Sequence, residues 1–163
     1  KEGDSFILDM ATTAVAVGKL EIARRKGQSI PEGWAQDKEG QITTDTNNAL
    51  SAGSCLMPLG GSELNSGYKG YGLACLVEIF CGILAGATYG PNIRKWGNTS
   101  RDADLGQCFV AINPQCFAPG FEGRMSDLMN IMRNLKTTDP SKPVLVAGDP
   151  EKQHMAAVDK IGG

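Results

Sequence analysis

Gly67-Tyr68-Lys69-Gly70-Tyr71-Gly72-Leu73, with the nearly uncharged run at residues 74–86 behind it, is the stretch on which the reading of this chain turns. Glycines stand on both sides of a single lysine. Glycine tolerates positive φ and lets another group come close. A helix that starts just after such a loop aims unpaired N–H groups, and the positive end of its dipole, at whatever the loop holds. With Lys69 added, the loop is equipped for an anion such as a carboxylate or a phosphate. The plainer reading is a glycine-rich turn into a core helix with Lys69 in solvent, and local chemistry leaves both open. The spelling G-x-x-G-x-G differs from the dinucleotide fingerprint G-x-G-x-x-G, and G-x-x-x-x-G-K-[ST] occurs nowhere. The usual Rossmann turn and the P-loop are therefore excluded.

Residues 70–86 are about one turn short of a bilayer span and carry Glu78 at their middle, so they predict a core helix and no membrane segment. Upstream, Phe6-Ile7-Leu8-Asp9 predicts a short buried strand ending in a carboxylate. The lead-in, Lys1-Glu2-Gly3-Asp4, does not spell a signal peptide. Thr12 or Thr13 is placed to cap a helix that Gly27 closes after Arg24-Arg25-Lys26. Within it Ala11, Ala14, Ala16 and Gly18 leave a narrow face for close packing against sheet, cofactor or another subunit.

Residues 27–66 read mostly as loop, with turns at residues 30–34 and 37–40 and a capping group at Thr43-Thr44-Asp45. Downstream, residues 107–112 alternate as a strand ending at Asn113-Pro114. Phe121, Met125, Leu128, Met129, Met132 and Leu135 fall on one helical face, which reads as core. Val144-Leu145-Val146 predicts a short strand, and Asp149-Pro150-Glu151 starts a helix with Asp149 as its cap. His154 in that helix reads as a surface residue. The alternation of strands and helices predicts an α/β fold, a mixed sheet covered by helices.

The 163 residues suffice for a real core, and 41% hydrophobic with 21% charged residues is ordinary for a globular protein. A net charge of −2 with scattered basic residues speaks against nucleic acid and anionic membranes as partners. Five cysteines form no CxxC pair and there is one histidine, so no metal site is expected. Buried free thiols in a reducing compartment, the cytoplasm, account for them best. The chain reads as a segment of a protein about twice as long. Residues 1–120 would be part of a cofactor-binding and dimerisation domain, and residues 121–163 a helix-strand-helix segment packing back on it.

Leu8-Asp9-Met10-Ala11-Thr12-Thr13-Ala14-Val15-Ala16 resembles the LDMATSAVA signature of the malate/L-lactate dehydrogenases of the second, non-Rossmann type. That family also contains ureidoglycolate, sulfolactate and diketogulonate dehydrogenases. Gly18-Lys19-Leu20-Glu21, Ile30-Pro31-Glu32-Gly33-Trp34-Ala35, Thr43-Thr44-Asp45 and Pro58-Leu59-Gly60-Gly61 follow in the family's order. So do Lys69-Gly70-Tyr71-Gly72-Leu73 and Val110-Ala111-Ile112-Asn113-Pro114. The resemblance implies a non-Rossmann NAD(P)-binding architecture, a homodimer, and a small 2-hydroxy or 2-oxo acid as substrate. It places cofactor contacts, to NAD or NADP, at Asp9, Met10, Ala11 and Lys69, and further ones at Arg124, Met125, Ser126, Gly148, Asp149 and Glu151. The chain has Ala147-Gly148 where members often have Pro-Gly, and Tyr68 where many have His.

The family's catalytic histidine and carboxylate-binding arginine lie upstream of the matching region, so the resemblance assigns no catalytic residue here. Hydride transfer between a 2-hydroxy acid and nicotinamide needs a base on the hydroxyl and a cation on the carboxylate. Two other classes stay open. One is a non-catalytic binding or scaffold domain derived from the enzyme; the other is a phosphate-ligand enzyme that uses Lys69 and the central helix start.

Overall fold

Backbone pairing between residues 12–14 and 57–59 decides where the first helix can begin. The structure, a computed structural model, describes residues 4–162. The lead-in read at Lys1, Glu2 and Gly3, and the terminal Gly163, lie outside the described residues. Thr13 and Pro58 form an antiparallel bridge; Ala14 N–H donates to the Met57 carbonyl at 2.8 Å and Leu59 N–H to the Thr12 carbonyl at 2.9 Å. Backbone committed to such bonds is not helical. Helix α1 therefore runs Val17–Arg25, with Ala16 at its cap position, rather than starting from Thr12 or Thr13. Thr13 Oγ1 donates to the Val15 carbonyl at 2.9 Å instead of capping. Ala11, Ala14 and Ala16 precede the helix, so the expected narrow face keeps only Gly18. The far end is as expected, with Arg24 and Arg25 in the last turn and Gly27 beyond it at φ +63°.

The stretch read mostly as loop holds the sheet. Strands β1 (Ala35–Gln36), β2 (Ile42–Thr43) and β3 (Cys55–Leu56) form an antiparallel sheet in the order β2-β1-β3. Ala35 lies opposite Thr43 on one side and Leu56 on the other. The β1–β2 turn is fixed by Asp37 Oδ1, which accepts from Glu39 N–H at 3.0 Å and Gln41 N–H at 2.9 Å. Helix α2 (Thr46–Ala49) is capped as expected by Asp45 Oδ1, which accepts from the Asn47 and Asn48 N–H groups at 2.9 Å each. Leu20, Ile30, Ala35 and Ala49 are buried together, with Trp34 and Leu56 packed against them. Strands of two residues carry too little alternation to read from sequence.

Helix α3 spans Gly67–Val77 and continues as a π-helical turn, Glu78–Ile83. The glycine-lysine stretch is thus the first turn of the helix and not a loop before it; Ser66, at φ +66°, supplies the bend. Nor is the apolar run behind it a core helix. Gly67, Gly70 and Gly82 are buried, while Leu76, Ile79, Ile83 and Leu84 are exposed. The helix packs through its glycine side, where backbone meets backbone, and its larger residues are left open. No helix among the described residues is long and apolar enough to cross a membrane. Cys55, Cys108 and Cys116 are exposed, with Cys75 and Cys81 half-buried, so the expectation of buried thiols is corrected; all five are free.

The division of the chain puts these elements, residues 11–110, in one unit; residues up to Met10, with those from Ala111 onward, make the other. In the second unit, the expected strand at residues 6–9 is absent. Ile7 N–H donates to the Ala147 carbonyl at 3.0 Å, but Phe6, Ile7 and Leu8 are exposed and no ladder forms. Residues 144–146 form no strand either. Residues 107–112, which run from the 11–110 unit into this one, also form none, and Phe109, Val110 and Ile112 are exposed. Asn113 Oδ1 accepts from Gln115 N–H at 3.0 Å and starts a short 3-10 turn, Pro114–Cys116, in place of a strand end. Helix α4 (Phe121–Arg133) lies where its periodicity placed it, but the stripe is not core as expected: Met129 is buried while Phe121, Leu128, Met132 and Leu135 are exposed. Helix α5 (Asp149–Ile161) has Gly148 at its cap position, φ +97°, so Asp149 is its first residue rather than its cap. The α/β class stands, with a small antiparallel sheet.

Candidate functional site

Lys69 occupies the third position of α3 and is exposed, with no side-chain partner among the described residues. Its N–H donates to the Ser66 carbonyl at 3.0 Å. A cation in the first turn opposes the helix dipole, which favours anions there. The site would gain from a negative ligand. The glycines beside it serve a different purpose from the one read in the sequence. A Cβ on Gly70 would collide with the Leu59 backbone, and one on Gly67 with the Gly61 backbone; around Gly72 there is open space. Two of the three glycines admit the chain's own backbone.

In the other unit, the start of α5 is the organised feature. Arg133, at the end of α4, donates to both carboxylate oxygens of Asp149 and both of Asp4, at 2.7–3.0 Å. Asp149 Oδ2 also accepts from Val146 N–H at 3.0 Å. The Arg133 guanidinium, then the Val146 N–H, hold the Asp149 carboxyl at about 2, below its ordinary 3.8. The same guanidinium, helped by Lys152, holds Asp4 at about 2. Both oxygens of Asp149 accept hydrogen bonds within the protein, which hold its carboxylate in place beside Gly148.

Asp9 and Met10 follow directly on the segment that meets Ala147, in the unit that also holds Gly148, Asp149 and Glu151. A Cβ built on Gly148 would lie 3.2 Å from Ile7 Cβ, a close approach that its positive φ and lack of side chain permit. Ala11 and Lys69 belong to the other unit. Arg124 lines an apolar cavity of about 380 Å³ with Ile112, Pro114, Phe117 and Phe121, and its Nη2 donates to the Ala118 carbonyl at 2.9 Å. Met125 and Ser126 follow on α4, half-buried. Glu151 and His154 are exposed on α5. Among the described residues no group of three His, Cys, Asp or Glu could hold a metal ion. Arg133, Asp4 and Lys152 escaped the sequence reading. Their contacts span up to 148 positions, and no local spacing signals such a pairing.

The chain matches a family model described as malate/L-lactate dehydrogenase over residues 1–162. It is 40% identical over 164 residues to a malate dehydrogenase of Pyrococcus abyssi, covering 99% of this chain and 44% of that protein. It is 34% identical over 166 residues to a ureidoglycolate dehydrogenase (NAD(+)) of Escherichia coli O157:H7, covering 98% of this chain and 45% of that one. Among solved structures, a sulfolactate dehydrogenase from Methanocaldococcus jannaschii superposes with a TM-score of 0.77 at 35% identity, over 93% of this chain and 42% of the other. The chain spans less than half the length of these relatives.

Proposed function

The chain belongs to the malate/L-lactate dehydrogenase family, and from that premise we propose that it is the C-terminal part of an enzyme transferring a hydride between NAD or NADP and a small 2-hydroxy acid. The observation that carries this reading is the 40% identity to a malate dehydrogenase along 99% of the chain. Bound nicotinamide would supply the hydride acceptor. This chain's residues would bind it: Lys69 toward an anionic part of the dinucleotide, and in the other unit Asp9, Met10 and Gly148 through backbone. The residues fit such a group. An exposed, unpaired lysine in the first turn of α3 suits phosphate oxygens, while Gly148, with no side chain at φ +97°, leaves its backbone open to close approach. Ala11, Arg124, Met125, Ser126, Asp149 and Glu151 belong to the same proposal.

The base and the carboxylate-binding cation come from the part of the protein that corresponds to the relatives' remaining length. Residues 1–163 alone should therefore give no turnover with malate, lactate or ureidoglycolate. Self-association as a homodimer is part of the reading, supported by the exposed apolar residues of α3 and its π-helical extension. A cytoplasmic location is too, supported by five cysteines without a disulfide. The test is titration of the whole protein with NADH and NADPH, followed by quenching of Trp34 and Trp96. Saturable binding with a 2-hydroxy acid turned over supports the reading. Absence of binding by either nucleotide sinks it, and leaves a scaffold domain.

A further inference from the structure

Arg133 joins two carboxylates from far-apart positions in the chain. Nη1 and Nη2 donate to Asp4 Oδ2 and Oδ1 at 2.7 and 3.0 Å, and Nη2 and Nε to Asp149 Oδ1 and Oδ2 at 2.7 and 2.9 Å. Lys152 Nζ adds contacts to Asp4 Oδ1 at 3.4 Å and to the Ser5 carbonyl at 3.0 Å. The Arg133, Asp4 and Asp149 side chains are 25%, 19% and 12% exposed. A planar guanidinium can grip two carboxylates at once in fixed orientation; an ammonium has no such fork.

Just beyond the clamp, two backbone segments meet. Ile7 N–H donates to the Ala147 carbonyl at 3.0 Å, and Gly148 lies against Ile7. Among the described residues, that is the one backbone–backbone hydrogen bond holding residues 4–10. Their apolar side chains at Phe6, Ile7 and Leu8 are 44%, 55% and 65% exposed, so none sits in a core. The ion cluster is the polar tie that fixes this segment against residues 144–149.

We propose that Arg133 is a positioning residue for the cofactor site. By clamping Asp4 and Asp149 it holds Ile7 against Gly148, and so sets where Asp9 and Met10 follow on, without touching the dinucleotide itself. This rests on the reading above that those residues contact NAD or NADP.

The experiment uses Arg133→Met and Arg133→Lys in the whole protein, at a temperature where both remain folded. Amide hydrogen exchange at Ile7 and Val146 is measured without nucleotide, and NADH affinity by tryptophan quenching. In Arg133→Met, exchange at both amides should rise about tenfold and NADH affinity should fall about tenfold, a lost charge-assisted contact being of that order. Met57, whose N–H donates to the Trp34 carbonyl in the other unit, should exchange as before. Arg133→Lys, which keeps the charge but loses the fork, should fall between. Exchange at Ile7 unchanged in Arg133→Met overturns the proposal. So does faster exchange with NADH affinity intact, which would make the clamp structural only. A parent protein that binds neither NADH nor NADPH refutes the dinucleotide reading and the cofactor role of Arg133 with it. Exchange at Ile7 then still decides whether the clamp orders the segment.

Discussion

Within Gly67-Tyr68-Lys69-Gly70-Tyr71-Gly72 the residues divide by what each one faces. Gly70→Ala drives a methyl into the Leu59 backbone, which has no flexible end to yield. Overpacking of that kind typically costs about 1–3 kcal/mol. Gly72→Ala meets open space in a helix interior and should be neutral or stabilise by about 0.5–1 kcal/mol. Denaturant melts of the two variants check the pair, and equal effects would mean that α3 does not dock on residues 59–61. Lys69→Ala should weaken NADH binding roughly tenfold by removing a charge-assisted hydrogen bond, while the melting temperature stays put because an exposed lysine contributes little. If Lys69→Ala binds NADH like the parent, Lys69 is only a solvated helix residue.

At the scale of elements, the ion cluster that ties residues 4–10 to α4 and α5 makes that tie acid-sensitive. Asp4 and Asp149 sit at about 2, against an ordinary 3.8. Carboxyls lowered by folding contribute stability that is fully present above the ordinary value and lost as pH falls through the folded one. Melting temperature should therefore drop between about pH 5 and about pH 2. Arg133→Met should flatten that drop by removing the cation that lowers both groups; an identical acid profile in the variant would contradict the clamp. The elements also show what a sequence can carry. Helices α4 and α5 were legible because 3.6-residue periodicity and the Asp-Pro-Glu start are local signals. The α1 start was not, because a long-range bridge to Pro58 overrides Thr12 and Thr13 as caps. The sheet hid for the opposite reason: its strands are two residues long, and Ala35 is buried by pairing and by packing on Leu20 rather than by any pattern of its own. Lys69 stood out as a candidate through its motif, but Arg133 has no motif to find.

At the scale of the whole molecule, the 11–110 unit rests on a small core. Leu20→Ala, at its fully buried centre, should cost about 2–5 kcal/mol by denaturant melt. A loss well under 1 kcal/mol would mean that the core lies elsewhere. At this scale we propose that this chain is the cofactor-binding part of a 2-hydroxy acid dehydrogenase, with Lys69 and Gly148 as candidate contacts. The measurement that tests this most directly is NADH oxidation by the whole protein, offered 2-oxo acids of graded size and charge, with Lys69→Ala run beside the parent. Turnover of at least one acid by the parent, with the apparent NADH affinity of the variant weakened about tenfold, is the predicted result. A parent that binds NADH and NADPH no better than an unrelated protein, and oxidises neither with any 2-oxo acid, would contradict it.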